Sequence, residues 1–337
     1  MRSMLIEVSE ASQAGEARRR ATQLAEELRL DETQQSEVAL VTTEMATNLL
    51  KHAGRGHILF QSLRQDANTG MRVMSVDKGP GIVDVTRALS DGPAGTGSLG
   101  SGLGAIKRVP DSFDLYSVPG LGTVVSAEFW CSKTPSGPGT PVQVGVISEP
   151  IRGEEVCGDG WSVRAYRTGA LLMVADGLGH GILAAEAARE AERVFSVSKE
   201  PSLGGILQDM HDALKKTRGA AVGLARIDVE KGIVNFAGIG NVVGSIVAGE
   251  NSRGMASHNG TLGQQMERVQ EFTYPWTPDS VLIMHSDGLM SRWELNRYPG
   301  ILTKPASVIA ALLHRDFNRG RDDVTVLVAK AAPAPGA

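Results

Sequence analysis

Apolar runs that end at an acidic residue are the most regular feature of the chain. The run 171–175 ends at Asp176, and the run 281–284 is followed closely by Asp287. Asp322 has the reverse placement, because it comes shortly before a run rich in β-branched residues. Short apolar runs bounded by Gly and Asp are typical of buried β-strands. The pattern therefore predicts strands that carry carboxylates at their ends.

Asp159, in the segment CGDGW, is a fourth acidic residue with this placement. Few basic residues surround the four positions, and clustered carboxylates repel one another by roughly several kcal/mol unless cations lie between them. Carboxylates without Cys or His partners favour hard divalent ions, Mg²⁺ or Mn²⁺. The sequence therefore predicts a site for two such ions at the ends of β-strands.

Helical periodicity is clearest near the start of the chain. Residues 12–30 predict an amphipathic helix, and Asp31 with Gln34 predicts a capping box that begins a second helix. Glu44 and Asn48 lie one turn apart on this second helix, and taken alone they are explained most simply as part of a solvated face. Another face of the helix is predicted to be buried, because apolar residues recur on it at three- and four-residue spacing: Val38, Val41, Met45 and Leu49.

Glycine-rich turns follow strands in the same half of the chain. The strand predicted at 71–77 ends in Asp77, and Gly79 and Gly81 follow it. A second glycine-rich segment, 95–108, leads into a helix. Such turns expose backbone N–H groups that can bind phosphate, and a flexible loop is the alternative interpretation. Further strands are predicted at 4–8, at 57–63 and, as a pair, within 113–130.

A change of composition divides the chain. Residues 131–141 are mainly Pro, Gly, Ser and Thr, which predicts a linker between domains at 1–130 and 142–331, with a tail at 332–337. The second domain has the order β, α, β and a polar loop that ends at 268. Its helices are predicted at 182–197, 203–217 and 305–317. Its strands are predicted at 142–147, 161–167, 170–175, 220–241 (as a strand–turn–strand unit), 242–249, 269–273 and before Asp287.

Composition narrows the cellular setting. The formal net charge is −4 and no basic cluster with interleaved aromatic residues is present, so nucleic acid is not an expected partner. Cys131 and Cys157 are the only cysteines, which fits a reducing compartment. The chain has neither an apolar run of roughly 18 residues nor a signal-peptide pattern. We therefore predict a cytoplasmic protein that does not span a membrane.

The ordered motifs of the first half resemble the GHKL ATP-binding fold. They are Glu44-x-x-x-Asn48, Asp77-x-Gly79-x-Gly81, Gly100-x-Gly102-x-Gly104 and Gly122-Thr123. The resemblance is strongest to the small serine kinases of bacterial partner-switching systems, the RsbT and RsbW type. It covers about residues 5–130 and implies an α/β sandwich with helices layered on a mixed sheet.

This resemblance implies a role for each motif residue. Glu44 would be the general base toward an incoming hydroxyl, and Asn48 would help to hold Mg²⁺ on the triphosphate of ATP. Asp77 would bind the adenine amino group, and Thr123 belongs with the nucleotide-binding residues. Glycine at two positions would let the backbone approach the base: Gly79 and Gly81. Four further glycines would line the phosphates: Gly97, Gly100, Gly102 and Gly104.

The second half resembles the SpoIIE-type branch of the metal-dependent (PPM, or type 2C) protein serine/threonine phosphatases, especially its small RsbX-like subgroup. The resemblance covers about residues 142–330 and implies a β-sandwich flanked by helices. The motifs that carry it are Gly158-Asp159, Asp176-Gly177-x-Gly179-x-Gly181, Gly240-Asn241, Ser286-Asp287-Gly288 and Asp322-Asp323-x-Thr325.

The phosphatase resemblance implies a ligand set for two Mn²⁺ or Mg²⁺ ions. Asp176 would bridge the ions and Gly177 would offer its backbone carbonyl. Asp287 and Asp322 would complete the shell of one ion, and Asp159 would hold the other directly or through water.

Several polar residues near these motifs keep two interpretations. Asp323 is either an acid that supports the ligands or the cap of the turn before the last strand. His180 is not carried over from the family, because Leu178 stands where many relatives have a catalytic histidine. Arg164 and Arg167 would either orient phosphate or lie on a solvated part of their strand.

Both resemblances together predict an α+β chain: a GHKL ATP-binding α/β sandwich followed by a PPM phosphatase β-sandwich flanked by helices. The predicted function is a bifunctional switch protein, a serine kinase and a phosphoserine/phosphothreonine phosphatase acting on a STAS-type anti-sigma-factor antagonist. The alternative is a phosphatase whose N-terminal domain only senses ATP or binds as an anti-sigma-factor module. A sigma factor, another switch protein and a second copy of the chain are further candidate partners.

Overall fold

The structure, a computed structural model, describes residues 3–65, 67–90, 102–132, 140–266 and 269–332. Contacts divide the chain into two compact units, each with its own core. The first unit consists of Met1–Gly139 with Tyr298–Lys304, and the second of Thr140–Arg297 with Pro305–Ala337. No helix in the described ranges is long and apolar enough to cross a bilayer.

The first unit packs helices on one five-stranded sheet, with strand order β1-β2-β3-β5-β4. Its elements are β1 (Ser3–Val8), α1 (Ala11–Glu27), α2 (Glu32–Asn48), β2 (Gly56–Gln65), β3 (Asn68–Val76), α3 (Val85–Leu89), α4 (Leu103–Arg108), β4 (Ser112–Val118) and β5 (Gly122–Trp130). A single π-helical turn, Leu49–Ala53, extends α2.

Every neighbouring strand pair in this sheet is antiparallel, so the prediction of a mixed sheet is wrong. Strands β3 and β4 run in the same direction and are joined through α3 and α4, which is the connection that would produce a parallel pair. Strand β5 folds back from β4 in a hairpin and lies between the two. No two parallel strands are therefore adjacent.

The predicted capping box and buried stripe of α2 are confirmed. Asp31 Oδ1 accepts a hydrogen bond from the Gln34 N–H at 2.8 Å, and the Gln34 side chain accepts one from the Asp31 N–H at 3.1 Å. The four stripe residues are at most 2 % exposed and pack in the core with small residues of α1 and with the sheet. This face of the helix packs in the core, and the side chains of Glu44 and Asn48 lie on another face.

The second unit is a β-sandwich of two five-stranded sheets, with orders β15-β10-β9-β8-β7 and β12-β11-β16-β17-β6. Its strands are β6 (Val142–Glu149), β7 (Asp159–Tyr166), β8 (Gly169–Gly177), β9 (Ala220–Asp228), β10 (Ile233–Ile239), β11 (Val243–Ala248), β12 (Asn251–Met255), β13 (Gly260–Thr261), β14 (Gln265–Met266), β15 (Phe272–Pro275), β16 (Val281–His285) and β17 (Val324–Ala331). Its helices are α5 (Ile182–Val197), α6 (Leu203–Leu214) and α7 (Ala306–Phe317).

Alternation along the strands builds the layers of this unit. On β8, Leu172 and Val174 face the other sheet and join its core residues. Leu171, Met173 and Ala175 face the opposite way and pack against α5 and α6. Helix α7 lies on the second sheet, and it approaches so closely that a Cβ on Gly145 would be 2.2 Å from the Ser307 nitrogen. Strand β8 is therefore buried on both faces, as its unbroken apolar run indicates.

The structure differs from the prediction at several places in this unit, and two of the differences are the largest. The segment expected to be a polar loop up to residue 268 contains the short strands β12, β13 and β14. Strand β12 is exposed over most of its length and pairs only with β11, so it lacks the apolar side chains by which a buried strand is recognised. The helix expected at 203–217 ends at Leu214.

Removal of the Asp31 cap tests the account of α2. Asp31→Ala deletes the acceptor of the Gln34 N–H and should lower the free energy of unfolding of the first unit by about 1 kcal/mol. Asp31→Asn keeps a side-chain acceptor and is the matched control, expected near wild type. Denaturant titrations followed by circular dichroism compare the two, and equal stability of the Ala and Asn variants would contradict the capping role.

Candidate functional site

The predicted acidic residues of the second unit meet at one end of the sandwich. The β7–β8 register places Asp159 directly opposite Asp176 at the end of the hairpin. On the other sheet, the end of β16 lies beside the start of β17, where the Ser286 N–H donates to the Thr325 carbonyl at 3.1 Å. Asp176, Asp287 and Asp322 line one cavity of about 460 Å³.

Asp159 lies behind this cavity and is held by a chain of hydrogen bonds through the Ser286 hydroxyl. It is 8 % exposed, and its Oδ2 accepts a hydrogen bond from Ser286 Oγ at 2.6 Å. Ser286 Oγ in turn accepts one from the Thr325 N–H at 2.9 Å. At the cavity itself, Asn241 Nδ2 donates to Asp287 Oδ2 at 2.8 Å. These bonds fix the orientation of two of the four carboxylates.

Asp323 ties the loop before β7 to the last strand. Its two carboxylate oxygens accept hydrogen bonds from the Ile151 N–H at 2.7 Å and from the Gly158 N–H at 2.8 Å. Ile151 and Gly158 lie in a distant loop and not in the turn that contains Asp323. These contacts therefore favour Asp323 as an acid that supports the ligands over Asp323 as a turn cap. Through Gly158, Asp323 positions the neighbouring Asp159.

The cluster carries more negative charge than its surroundings stabilise. Burial, together with the charges of Asp287 and Asp322, raises the pKa of Asp176 to about 7. Burial and the charge of Asp176 raise the pKa of Asp159 well above its usual range, although the Ser286 hydrogen bond opposes the rise. Without cations these carboxyl groups therefore hold protons that ordinary aspartates release.

The donor set fits hard divalent ions in chemistry. It consists of carboxylate oxygens and the peptide at Gly177, where a Cβ would lie 2.2 Å from the Ala184 carbonyl oxygen and only glycine is accommodated. Among the described residues, no three His, Cys, Asp or Glu side chains already form a ligand group around one point. Ion binding would therefore require the cavity-lining aspartates to turn inward.

Glu154, in the loop between β6 and β7, contacts the loop that follows Asp176. His180 Nδ1 lies 2.8 Å from Glu154 Oε1, and its side chain is 59 % exposed. Gly179 and Gly181 have φ angles of 87° and 74°, which favour glycine and allow the chain to turn sharply out of β8. The pairing of His180 with Glu154 has no signal in the sequence, because the two residues lie in separate loops.

The two arginines considered for phosphate orientation are committed elsewhere. Arg164 donates to the Ser198 carbonyl at 2.8 Å and lies over the Phe195 ring. Arg167 lies at the opposite end of the β7–β8 hairpin from Asp176 and contacts Glu230 at 3.8 Å. Their solvated or packing interpretation is the one the structure supports. The sequence indicates Ser286 and Asn241 only as motif residues, and the fold brings them into contact with Asp159 and Asp287.

A second cavity, of about 640 Å³, lies in the first unit. It is lined by the predicted general base Glu44 and by most of the predicted nucleotide-binding residues that the structure describes: Asn48, Asp77, Gly81, Gly102 and Thr123. Gly79 is adjacent, with its N–H donating to Asp77 Oδ1 at 2.8 Å, and Gly104 lies in the first turn of α4. Gly97 and Gly100 lie outside the described residues.

The geometry of this cavity suits a nucleotide. Asp77 and Thr123 exchange backbone hydrogen bonds of 3.0 and 3.3 Å, which hold the Asp77 carboxylate at the end of β3. A Cβ on Gly81 would lie 2.2 Å from the Val118 carbonyl oxygen, so the turn cannot accept a larger residue. Asn48 Nδ2 is buried and has no hydrogen-bond acceptor among the described residues. An oxygen of a bound phosphate would satisfy this donor.

Comparison with known proteins finds relatives for each half of the chain. Residues 8–129 match the family model described as the histidine kinase-like ATPase domain. The serine/threonine-protein kinase RsbT of Bacillus subtilis is 34 % identical over 114 residues, which are 34 % of this chain and 86 % of RsbT. The chain belongs to the histidine kinase-like ATPase family. Its ATPase-like domain is the part that contains the 640 Å³ cavity.

The remainder matches a phosphatase family. Residues 167–332 match the model described as stage II sporulation protein E (SpoIIE). The phosphoserine phosphatase RsbX of B. subtilis is 27 % identical over 139 residues, 41 % of this chain and 69 % of RsbX. A solved structure from work on the bacterial stressosome is 29 % identical with a TM-score of 0.53, and covers 56 % of this chain and 99 % of that one.

These matches confirm the predicted fusion and its fold class. The protein joins a histidine kinase-like ATPase domain to a SpoIIE-type PPM domain, and it is a protein serine/threonine phosphatase. Phosphatases of the PPM family depend on Mg²⁺ or Mn²⁺. The acidic cavity of the second unit is the part of this domain where such ions fit chemically.

The raised pKa of Asp176 predicts how the metal-free chain responds to pH. The folded state keeps this proton up to about pH 7, whereas the unfolded chain releases it near the ordinary value of 3.8. The folded state therefore binds more protons between these values, and its stability falls as pH rises through the window. Asp176→Asn removes the titration, so wild-type stability measured against this variant should decline between about pH 4 and about pH 7.

Thermal unfolding in the presence of a chelator measures this difference at a series of pH values. Asp228→Asn is the control, because Asp228 ends β9 at the far end of the sheet and its pKa is lowered by hydrogen bonds to the turn at Lys231. If the stability of the wild type relative to Asp176→Asn stays constant or rises with pH, the assignment of the raised pKa to Asp176 is wrong.

Proposed function

We propose that the protein is a bifunctional partner-switching regulator. Its ATPase-like domain transfers the γ-phosphate of ATP to a serine of a protein partner, and its SpoIIE-type domain removes phosphate from phosphoserine or phosphothreonine. The support for the phosphatase site is one observation above all. Four aspartates from both sheets converge at one end of the sandwich, where burial and mutual repulsion raise the pKa values of Asp159 and Asp176.

In the phosphatase domain, the chain's residues would hold two Mn²⁺ or Mg²⁺ ions. Asp176 would hold both ions, and Gly177 would offer its backbone carbonyl as a further ligand. Asp287 and Asp322 would complete the shell of one ion, and Asp159 would hold the other directly or through water. Such ions activate a water molecule for attack on a phosphoryl group and neutralise its charge. Ser286 and Asn241 keep Asp159 and Asp287 in place through their hydrogen bonds.

In the ATPase-like domain, Asn48 and the glycine-rich turns would bind the phosphates with Mg²⁺, and Asp77 would bind the adenine. Glu44 would accept the proton from a serine hydroxyl of the partner as that oxygen attacks the γ-phosphorus and ADP leaves. Glu44 and Asn48 line the same cavity one helical turn apart, which supports these two roles for the carboxylate and the amide. Positioning and charge neutralisation would supply most of the rate.

We infer that the partner is a STAS-type protein. The inference rests on two relatives that match different halves of the chain, the kinase RsbT and the phosphoserine phosphatase RsbX. A cytoplasmic location is part of the same proposal. A sigma factor, a further switch protein and a homodimer stay predictions.

Loss of Asp176 tests the phosphatase site. Asp176→Asn removes the charge that would lie between both ions, and it should reduce Mn²⁺-dependent hydrolysis of an aryl phosphate more than about 100-fold, since even residues behind metal ligands contribute 10- to 100-fold. ATP binding should be unchanged because the nucleotide cavity lies in the first unit. Asp228→Asn is again the matched control and should keep full activity.

The result that would overturn the phosphatase assignment is Asp176→Asn turnover equal to that of the wild type. Chelator should abolish activity in both the wild type and the control. Activity that survives chelation would mean that the four aspartates do not act through cations.

Replacement of Glu44 tests the kinase. Glu44→Gln should reduce transfer of labelled γ-phosphate from ATP to a STAS protein by about 10²- to 10⁴-fold, the usual contribution of a general base. Glu37→Gln is the control, because Glu37 lies on the same helix two turns earlier, away from the residues that line the cavity. Both variants should bind ATP as the wild type does.

The same assay separates the kinase from its alternative. Wild-type protein that binds ATP but transfers no label would support an ATP-sensing or anti-sigma-factor module. Equal transfer by wild type and Glu44→Gln would reject Glu44 as the base.

A further inference from the structure

Arg218 lies at the rim of the acidic cavity of the second unit. It belongs to the turn between α6 and β9, and this turn packs against the loop that follows Asp176. The Leu178 N–H donates to the Gly219 carbonyl at 3.0 Å. A Cβ built on Gly179 would lie 3.1 Å from Arg218 Nη1, so the guanidinium rests on that glycine. Gly179 lines the same cavity as Asp176.

The backbone that carries Arg218 is tightly held. Gln264 Nε2 donates to the Arg218 carbonyl at 2.6 Å, and the Gly219 N–H donates to Thr217 Oγ1 at 3.0 Å. Gly219 has a φ of 84°, and a Cβ there would lie 2.5 Å from the Leu262 carbonyl oxygen. A long cationic side chain therefore projects from a fixed turn, while its own surface is exposed to solvent.

The guanidinium of Arg218 has no carboxylate partner within the described part of the chain. Arg193 and Arg315 each bond a neighbouring carboxylate at 2.6–2.8 Å, whereas Arg218 forms no ion pair with any described residue. Its planar guanidinium can donate two parallel hydrogen bonds to an anion, a geometry that suits phosphate. A carboxylate-lined cavity otherwise repels a phosphoryl dianion, so a cation at its rim would favour the approach of one.

We propose that Arg218 binds the phosphoryl oxygens of the phosphatase substrate and orients the group over the aspartate cluster. This inference rests on the phosphatase site proposed above and adds its phosphate-recognition residue. It also explains why Gly179 must be small: a side chain there would displace the guanidinium from the rim. The recognised chemistry is a phosphomonoester dianion on a serine or threonine side chain.

The test compares four full-length proteins: wild type, Arg218→Ala, Arg218→Lys and Arg167→Ala. The substrate is an aryl phosphate with saturating Mn²⁺, and orthophosphate is the competing inhibitor. Arg167→Ala removes the same charge from an exposed residue at the far end of the β7–β8 hairpin. Thermal unfolding and Mn²⁺ calorimetry establish that fold and ion binding are unchanged.

Arg218→Ala should raise both KM and the inhibition constant for orthophosphate by roughly 10- to 100-fold, the range of a lost charge-assisted hydrogen-bond pair. Arg218→Lys should show a smaller increase in both constants, because lysine keeps the positive charge but lacks the two parallel N–H donors of the guanidinium. Arg167→Ala should match the wild type. Mn²⁺ affinity should be the same in all four proteins.

An orthophosphate constant that does not change in Arg218→Ala would overturn the proposal, as would an equal change in Arg167→Ala. Arg321→Ala extends the comparison, because Arg321 is exposed and precedes Asp322; a large effect there with none at Arg218 would assign the role to the other arginine. Failure of the phosphatase function itself would be distinct, since the wild type would then lack Mn²⁺-dependent hydrolysis. In that case, calorimetry can still compare the affinity of orthophosphate for Mn²⁺-loaded Arg218→Ala with its affinity for Mn²⁺-loaded wild type.

Discussion

The repulsion between buried aspartates is the constraint on which the second unit depends. Asp159 and Asp176 are cross-strand partners at the end of one hairpin, and Asp287 and Asp322 approach from the other sheet. Such an arrangement destabilises a fold unless protons, hydrogen bonds or cations compensate for it. The surrounding structure provides the hydrogen bonds: Ser286 to Asp159, Asn241 to Asp287, and two backbone N–H groups to Asp323. The remaining negative charge is the chemical reason for proposing the cluster as a cation site.

The two cavities use the same structural device for different ligands. In each, a β-strand ends in an aspartate and glycines follow where a Cβ would collide with the backbone, as at Gly81 and Gly177. In the first unit the aspartate accompanies an unsatisfied amide donor at Asn48, which suits a nucleotide phosphate. In the second it accompanies further carboxylates, which suit hard cations. The chemistry of each site therefore follows from what the neighbouring elements add to a common turn.

Features set by local sequence were the ones that could be predicted. The capping box at Asp31 and Gln34 and the stripe of α2 depend on residues within a few turns of one another, and both are confirmed. The strand that ends at Asp176 was recognisable because it is apolar on both faces. The order of the motifs along the chain is sufficient to indicate both families.

Features set by distant contacts could not be predicted. The antiparallel order of the first sheet depends on where β5 inserts, which the strand pattern does not encode. Asp323 was ambiguous because its partners, Ile151 and Gly158, lie more than a hundred residues earlier. Arg218 gave no signal at all, since only the fold brings its turn beside Gly179. Arg164 and Arg167 were nearer to the site in sequence and lie away from it in the structure.

Manganese binding in the absence of nucleotide tests the central claim most directly, because it measures the cation site without requiring a substrate or partner. Titration calorimetry of the chelator-treated protein should show two Mn²⁺ ions bound per chain, with protons released as Asp176 and Asp159 ionise. In Asp176→Asn the binding should weaken strongly for both ions, whereas Asp228→Asn should bind as the wild type does. Wild-type protein that binds no Mn²⁺, or Asp176→Asn protein that binds it equally well, would contradict the account.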